Sequence, residues 1–268
     1  MYTERRYTMG KVIAITNQKG GVGKTTTAVN LAAGLTANKK SVLCIDTDSQ
    51  GSLSICLGID QPDNENNTLA ELMAKVATEE EYILEDYIRY QKEGIDFIIG
   101  NIQLQALEQQ IVPLYSREYL LKDIVDNLKE KYDYIIIDCP PSLGIILAND
   151  LTAADSIIIP AKPERLSTKG LEQLFSTIMK VKKTTNKALN IDGILFTMIN
   201  SRSKYNQNIS EMVTDAFGSY VNIFDTSIPS SVRVAETPET GTSLYTYDPK
   251  GKCTQAYSKL VEEVMNHG

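Results

Sequence analysis

The chemistry in this sequence is concentrated in Gly20-Gly21-Val22-Gly23-Lys24-Thr25-Thr26. Glycines at 20, 21 and 23 let successive backbone N–H groups turn inward, making an anion-sized concavity that side chains would fill. Good helix formers follow, so a helix starting near Lys24 adds its positive end to the same spot. Lys24 is placed to set its ammonium on the β- and γ-phosphates of a nucleotide, and the Thr25 hydroxyl to ligate Mg²⁺. The competing reading is a glycine turn that only packs a helix on a strand. A complete Gly23-Lys24-Thr25, the second half of the GxxxxGKT pattern, favours phosphate binding. Gln18 stands where that pattern has its first glycine and Lys19 follows, so this is a variant loop with an extra lysine.

The elements that must position this loop repeat as strand, loop and helix, the rhythm of a parallel sheet covered on both faces. Val12–Ile15 is a short apolar strand running into the glycines, and Thr25–Ala37 a helix with Ala28, Leu31, Ala32 and Leu35 on one face. Further strands are predicted at Val42–Ile45, Phe97–Ile99, Tyr134–Ile137, Ile157–Pro160 and Ile191–Met198. Helices are predicted at Leu69–Met73, Glu79–Tyr90, Arg117–Lys131, Thr168–Lys183, Gln207–Phe217 and Cys253–Met265, and a turn-rich loop at 60–67. The fold class expected is α/β, doubly wound, with a mostly parallel sheet. No repeat or linker divides the chain, so residues 9–268 are expected to form a single domain behind a frayed tail of residues 1–8.

Composition narrows the classes. The 42% hydrophobic and 23% charged residues are those of a soluble globular protein. Apolar runs such as Ile135-Ile136-Ile137 are far too short to cross a bilayer. The residues before Met9 lack the apolar core of a secretory signal. Cys44, Cys56, Cys139 and Cys253 are scattered with no CxxC pair, which reads as reduced thiols and a cytoplasmic setting. A net charge of −7 argues against a broadly basic surface, though not against a local basic patch.

Lys19-Gly20-Gly21-Val22-Gly23-Lys24-Thr25-Thr26 resembles the deviant Walker A loop of the ParA/MinD family of P-loop ATPases. Asp46-Thr47-Asp48-Ser49-Gln50-Gly51 resembles the family's Asp-x-Asp-Pro-Gln-Gly loop, with Ser49 in place of proline, and Ile136-Ile137-Asp138-Cys139-Pro140-Pro141 resembles its Walker B strand. Ile228-Pro229-Ser230-Ser231-Val232-Arg233-Val234-Ala235-Glu236, then Tyr247-Asp248-Pro249 and Ala256-Tyr257, resemble the ParA/Soj branch. Four blocks in family order are far more specific than any one.

The resemblance implies ATP and Mg²⁺ as cofactors and slow hydrolysis until a partner completes the site. It implies that Lys19 reaches across an ATP-bound homodimer to the other subunit's phosphates; a solvated loop lysine is the alternative. It implies that Asp48 orients the attacking water and that Asp46 and Asp138, at strand ends facing the same loop, hold Mg²⁺ through water. Either Asp46 or Asp138 could instead cap a helix. Adenine contact is implied for Pro229 to Ser231, with Asn200 as a second candidate; Ser231 replaces an asparagine common in the branch.

ParA/Soj relatives bind DNA non-specifically as ATP dimers, which points here to Arg202, Lys204 and Arg233, although Ser230 stands where the branch has an arginine. The implied function is DNA segregation on the nucleoid with a ParB-like partner. The alternative is a same-fold positioning ATPase acting on a protein complex without DNA. Membrane binding of the MinD kind is not expected, because the tail from Tyr257 has adjacent acids and little cationic charge. An iron–sulfur relative would need a second cysteine to accompany Cys139, and none matches; His267, at the terminus, is given no role.

Overall fold

The computed structural model describes residues 9–164, 167–200 and 204–266, without the side chains of 167, 168 and 205–207. The tail 1–8, Arg202 and His267 lie outside the described residues. In chain order the elements are β1 (Lys11–Ile15), α1 (Lys24–Ala37), β2 (Val42–Asp46), α2 (Ser52–Cys56), α3 (Leu69–Ala77), β3 (Ile88–Tyr90), β4 (Ile95–Ile98), α4 (Gln103–Ile111) and α5 (Leu120–Asp126). There follow β5 (Tyr134–Asp138), α6 (Ile145–Ala153), β6 (Ser156–Ala161), α7 (Ser167–Thr184), β7 (Asn190–Phe196), α8 (Lys204–Phe217), α9 (Arg233–Thr240), α10 (Leu244–Tyr247) and α11 (Lys252–Asn266).

The strands form one sheet in the order β3-β4-β2-β5-β1-β6-β7, parallel except for β3. Successive strand side chains point to opposite faces, so each strand feeds two cores. Val12, Ala14, Leu43, Ile45, Ile135 and Ile137 pack with α3 to α7. Ile13, Ile15, Val42, Cys44, Tyr134 and Ile136 pack under α1, α2 and α11. Because both faces are covered, the central strands read as unbroken apolar runs.

Register is what brings the site together. Ile15 and Asp46 both pair with Asp138, so β1, β2 and β5 end level with one another. The chain leaves β1 toward β2 on one side of the sheet and leaves the neighbouring β5 toward β6 on the other, and the carboxyl ends at such a switch point form a crevice.

The structure departs from the sequence reading in several stretches. Residues 79–90 do not form one helix: Glu79 takes a left-handed φ of 55° just after α3, only Leu84–Tyr87 makes a short 3-10 turn, and Ile88–Tyr90 pairs antiparallel with β4. Three consecutive acids at 79–81, followed by β-branched Ile83 and Ile88, favour that outcome over a helix. The helix expected over 117–131 is confined to Leu120–Asp126. Helices α2, α4, α6, α9 and α10 have no counterpart in the sequence reading. Within α6, buried Asn149 and Asp150 break the apolar pattern, and α9 contains Pro238. The C-terminal helix packs on the body as expected, burying Tyr257, Leu260, Val261 and Val264. Among the described residues no helix is long and apolar enough to cross a membrane. All four cysteines are free thiols; Cys44, Cys139 and Cys253 are buried.

Gly100 follows β4 with no room for a side chain: a Cβ there would lie 2.4 Å from the Asp46 carbonyl oxygen and 2.8 Å from Asp46 Cγ. Gly100→Ala is therefore expected to cost about 1–3 kcal/mol, read as a lower urea midpoint at unchanged m-value. An unchanged midpoint would contradict this packing of β4 on Asp46.

Candidate phosphate-binding site

Between β1 and α1 the chain makes its anion cradle. Gly21 and Gly23 have φ of 69° and 85°, which L side chains rarely adopt, and Gly23 caps α1 with no side-chain hydrogen bond. A Cβ at Gly20 or Gly21 would meet nothing within 4 Å, so the concave wall is open. Thr27 donates its amide to the Gly23 carbonyl at 2.9 Å, closing the first helical turn. The amides ahead of it point out of the helix end, toward any bound anion. Lys24 is buried and Thr26 is half-buried, while Val22 fixes the loop by accepting a 2.7 Å bond from the Thr197 hydroxyl.

The Thr25 hydroxyl donates to Asp138 Oδ2 at 2.6 Å, joining the helix start to the end of β5. Asp138 Oδ1 is buried with no hydrogen-bond partner in the structure. Burial pushes this carboxyl well above the usual carboxylate range, and the charge of Asp46 adds to the rise; the Thr25 hydroxyl and Lys24 pull it back. A hydroxyl beside an orphaned carboxylate oxygen fits a hard divalent cation such as Mg²⁺, which takes one or two carboxylates and leaves its remaining positions to water and phosphate. Among the described residues no group of three His, Cys, Asp or Glu gathers, so an all-protein cage is not part of this site.

Asp46 is at the same strand edge, and its carboxylate already accepts three hydrogen bonds. Oδ2 accepts from the Ser54 amide and hydroxyl, both at 2.8 Å, and Oδ1 accepts from the Asp48 amide at 3.2 Å. Burial still lifts Asp46 to about 7 against those donors. Asp46 therefore holds the start of α2 and the Asp48 turn in place. Asp48 is half-buried, and its Oδ1 accepts from the Gln50 amide at 3.0 Å. Gly51 turns the loop at a φ of 61°.

Lys19 is bound within its own chain. Its ammonium pairs with Glu164, which also pairs with Lys162. Lys162 first and then Lys19 hold the Glu164 carboxyl down at about 2. Sequence reasoning missed Glu164, since nothing in its neighbourhood marks it as the partner of a residue 145 positions earlier.

Beyond the loop lies a cavity of about 340 Å³ lined by Gly23, Thr26, Met198, Pro229, Ser231 and Tyr257 among others. It brings Pro229 and Ser231 beside the cradle. Asn200 lines a different hollow, with Ser210 and Asp225. Of the basic candidates, Lys204 is exposed at the start of α8, and Arg233 is exposed but paired with Glu236 at 3.1 Å.

The sequence profile of a family described as an AAA domain matches residues 10–191. Sporulation initiation inhibitor protein Soj of Bacillus subtilis (strain 168) is 41% identical over 260 residues, covering 97% of this chain and 100% of that protein. Chromosome partitioning protein ParA of Myxococcus xanthus (strain DK1622) is 40% identical over 258 residues, 96% of this chain and 89% of its own. Among solved structures, cobyrinic acid a,c-diamide synthase from Mycobacterium smegmatis with bound ADP and magnesium aligns at a TM-score of 0.85 and 31% identity, covering 97% of this chain and 95% of that one.

The raised carboxyls give a pH prediction. A folded-state pKa above the unfolded value of 3.8 means the folded chain holds a proton that the unfolded chain has released. Stability from such a group is full below that value and is lost as pH rises through about 7 for Asp46 and about 8 for Asp150. Free of metal and nucleotide, the protein is expected to melt several degrees lower at about pH 8 than at about pH 5.5, about 2–4 °C per kcal/mol lost. Asp46→Asn is expected to flatten the trend. A melting temperature that rises across this window would contradict the buried, raised carboxyls.

Proposed function

The chain belongs to the ParA/Soj family of ATPases, and from that membership we propose that ATP, held with Mg²⁺ by residues 19–26, switches it between monomer and homodimer. The observation that carries the proposal is the Thr25–Asp138 contact at the mouth of an open glycine cradle, with a second Asp138 oxygen left unpartnered. In this reading residues 9–268 act as one ATPase unit. Lys24 and the loop amides grip the β- and γ-phosphates. Thr25 and Asp138 hold Mg²⁺, which would neutralise phosphate charge, while Asp46 acts behind them through the loop it anchors. Asp48 orients the attacking water. The base enters the cavity beside Pro229 and Ser231.

Lys19 supplies the switch. A triphosphate on a facing subunit offers it more negative charge than Glu164 does, so ATP favours the dimer by its differential affinity for the two states. The dimer then binds nucleoid DNA non-specifically through Lys204, Arg233 and Arg202, and a ParB-like partner bound to DNA stimulates hydrolysis, which is slow without it. The relatives named Soj and ParA support partition as the purpose. A second reading, positioning of a protein cargo without DNA, is favoured by one observation: Ser230 stands where the branch has an arginine, so one expected cation is missing.

Lys24→Ala is expected to weaken ATP binding by roughly a hundredfold, about 3 kcal/mol, in calorimetric titration. Retained affinity would remove the phosphate-loop assignment. Asp48→Ala should still bind ATP while turnover falls roughly a hundredfold or more; normal turnover would clear Asp48 of the water-orienting role. Filter binding across a salt series separates the two purposes. DNA retention that needs ATP and weakens steeply with salt supports partition, and none at low salt supports a protein cargo.

A further inference from the structure

Asp150 on α6 is a buried acid that neither the phosphate cradle nor the cation site uses. It is wholly shielded from solvent, and its Oδ1 has no hydrogen-bond partner in the structure. Its Oδ2 lies 3.0 Å from the hydroxyl of Thr47, the residue between Asp46 and Asp48. The same hydroxyl is 2.8 Å from the carbonyl oxygen of Asp138, which also accepts the Thr47 amide at 3.1 Å.

With Asp150 ionised, the two contacts of the Thr47 hydroxyl cannot both be full hydrogen bonds. A threonine hydroxyl carries one hydrogen, and a main-chain carbonyl can only accept. If Thr47 donates to the Asp138 carbonyl, its contact with Asp150 holds only when Asp150 is the donor. If Asp150 were ionised, Thr47 would turn its hydrogen to the carboxylate, and the Asp138 carbonyl would lose that bond. An ionised Asp150 would also be wholly buried with one oxygen unpaired, an arrangement proteins avoid.

We infer that Asp150 is a positioning residue that works as a neutral acid: its O–H donates to Thr47 Oγ, Thr47 donates to the Asp138 carbonyl, and this relay sets where Asp48 stands. Two further observations agree. Burial, with the charge of Asp48 adding to it, lifts the Asp150 carboxyl to about 8, against the lowering bond from Thr47. Asp46 fixes the Asp48 turn from the other side through the Asp48 amide, so Thr47 and Asp46 clamp the loop at adjacent residues. The inference deepens the reading of Asp48 as the water-orienting group and rests on it.

The test uses the full chain. The infrared difference between wild type and Asp150→Asn, free of nucleotide and metal at neutral pH, is expected to contain the carbonyl band of a protonated carboxylic acid. A carboxylate band in its place overturns the proposal whatever Asp48 does. Asp150→Ala removes the donor together with an unpaired buried oxygen, so its melting temperature is expected to hold or rise. Its kcat is expected to fall roughly ten- to hundredfold, with KM for ATP unchanged. Asp150→Asn, whose amide can still donate to Thr47, is expected to recover most of that kcat. An unchanged kcat in Asp150→Ala, or an equal fall in both variants, overturns the positioning role. Asp48→Ala measured alongside keeps the two ideas apart, since normal turnover there removes the role of Asp48 and leaves the infrared result standing.

Discussion

The hydrogen bond from the Thr25 hydroxyl to the Asp138 carboxylate ties the two halves of this fold's crevice together. It is 2.6 Å long and joins the first turn of α1 to the last residue of β5. The cradle precedes Thr25 directly, and Asp46 and Ile15 are in register with Asp138. Parallel pairing makes this possible, because strands that run the same way end on the same edge and present their loops together. The apolar faces of β1, β2 and β5, packed on both sides, hold that edge level.

This crevice gathers buried acids. Asp46, Asp138 and Asp150 are all fully buried, and burial raises each of their carboxyls. Each is managed differently. Asp46 is satisfied by Ser54 and the Asp48 amide, Asp138 faces the cradle with one oxygen open, and Asp150 bonds Thr47. Opposite them, Lys19 and Lys162 share Glu164. A half-exposed pair of this kind contributes little to stability.

How much of this was legible in the sequence depended on the range of the signal. The cradle was legible because its chemistry is local: glycines at 21 and 23 are there for left-handed backbone, and Lys24 and Thr25 follow at once. The central strands were legible because burial on both faces leaves unbroken apolar runs such as Ile135-Ile136-Ile137. The edge strand Ile88–Tyr90 was not, since three residues with one antiparallel neighbour are set by tertiary pairing rather than by propensity. Nor was α6, where Asn149 and Asp150 face inward because Leu121, Arg117 and Thr47 supply their partners from distant segments. Glu164 and the occupied carboxylate of Asp46 belong to the same group. Ligand-like residues announce themselves by type, but whether a carboxylate is open or occupied is decided by what folds against it.

The central claim is that a triphosphate in the cradle recruits Lys19 of a second subunit. Sedimentation velocity with a slowly hydrolysed ATP analogue and Mg²⁺ tests it most directly, run on wild type and Lys19→Ala. A dimer in the wild type, and a monomer in Lys19→Ala that still binds the analogue, is the expected result. A wild type that stays monomeric at saturating analogue, or a Lys19→Ala variant that dimerises as readily, would contradict it.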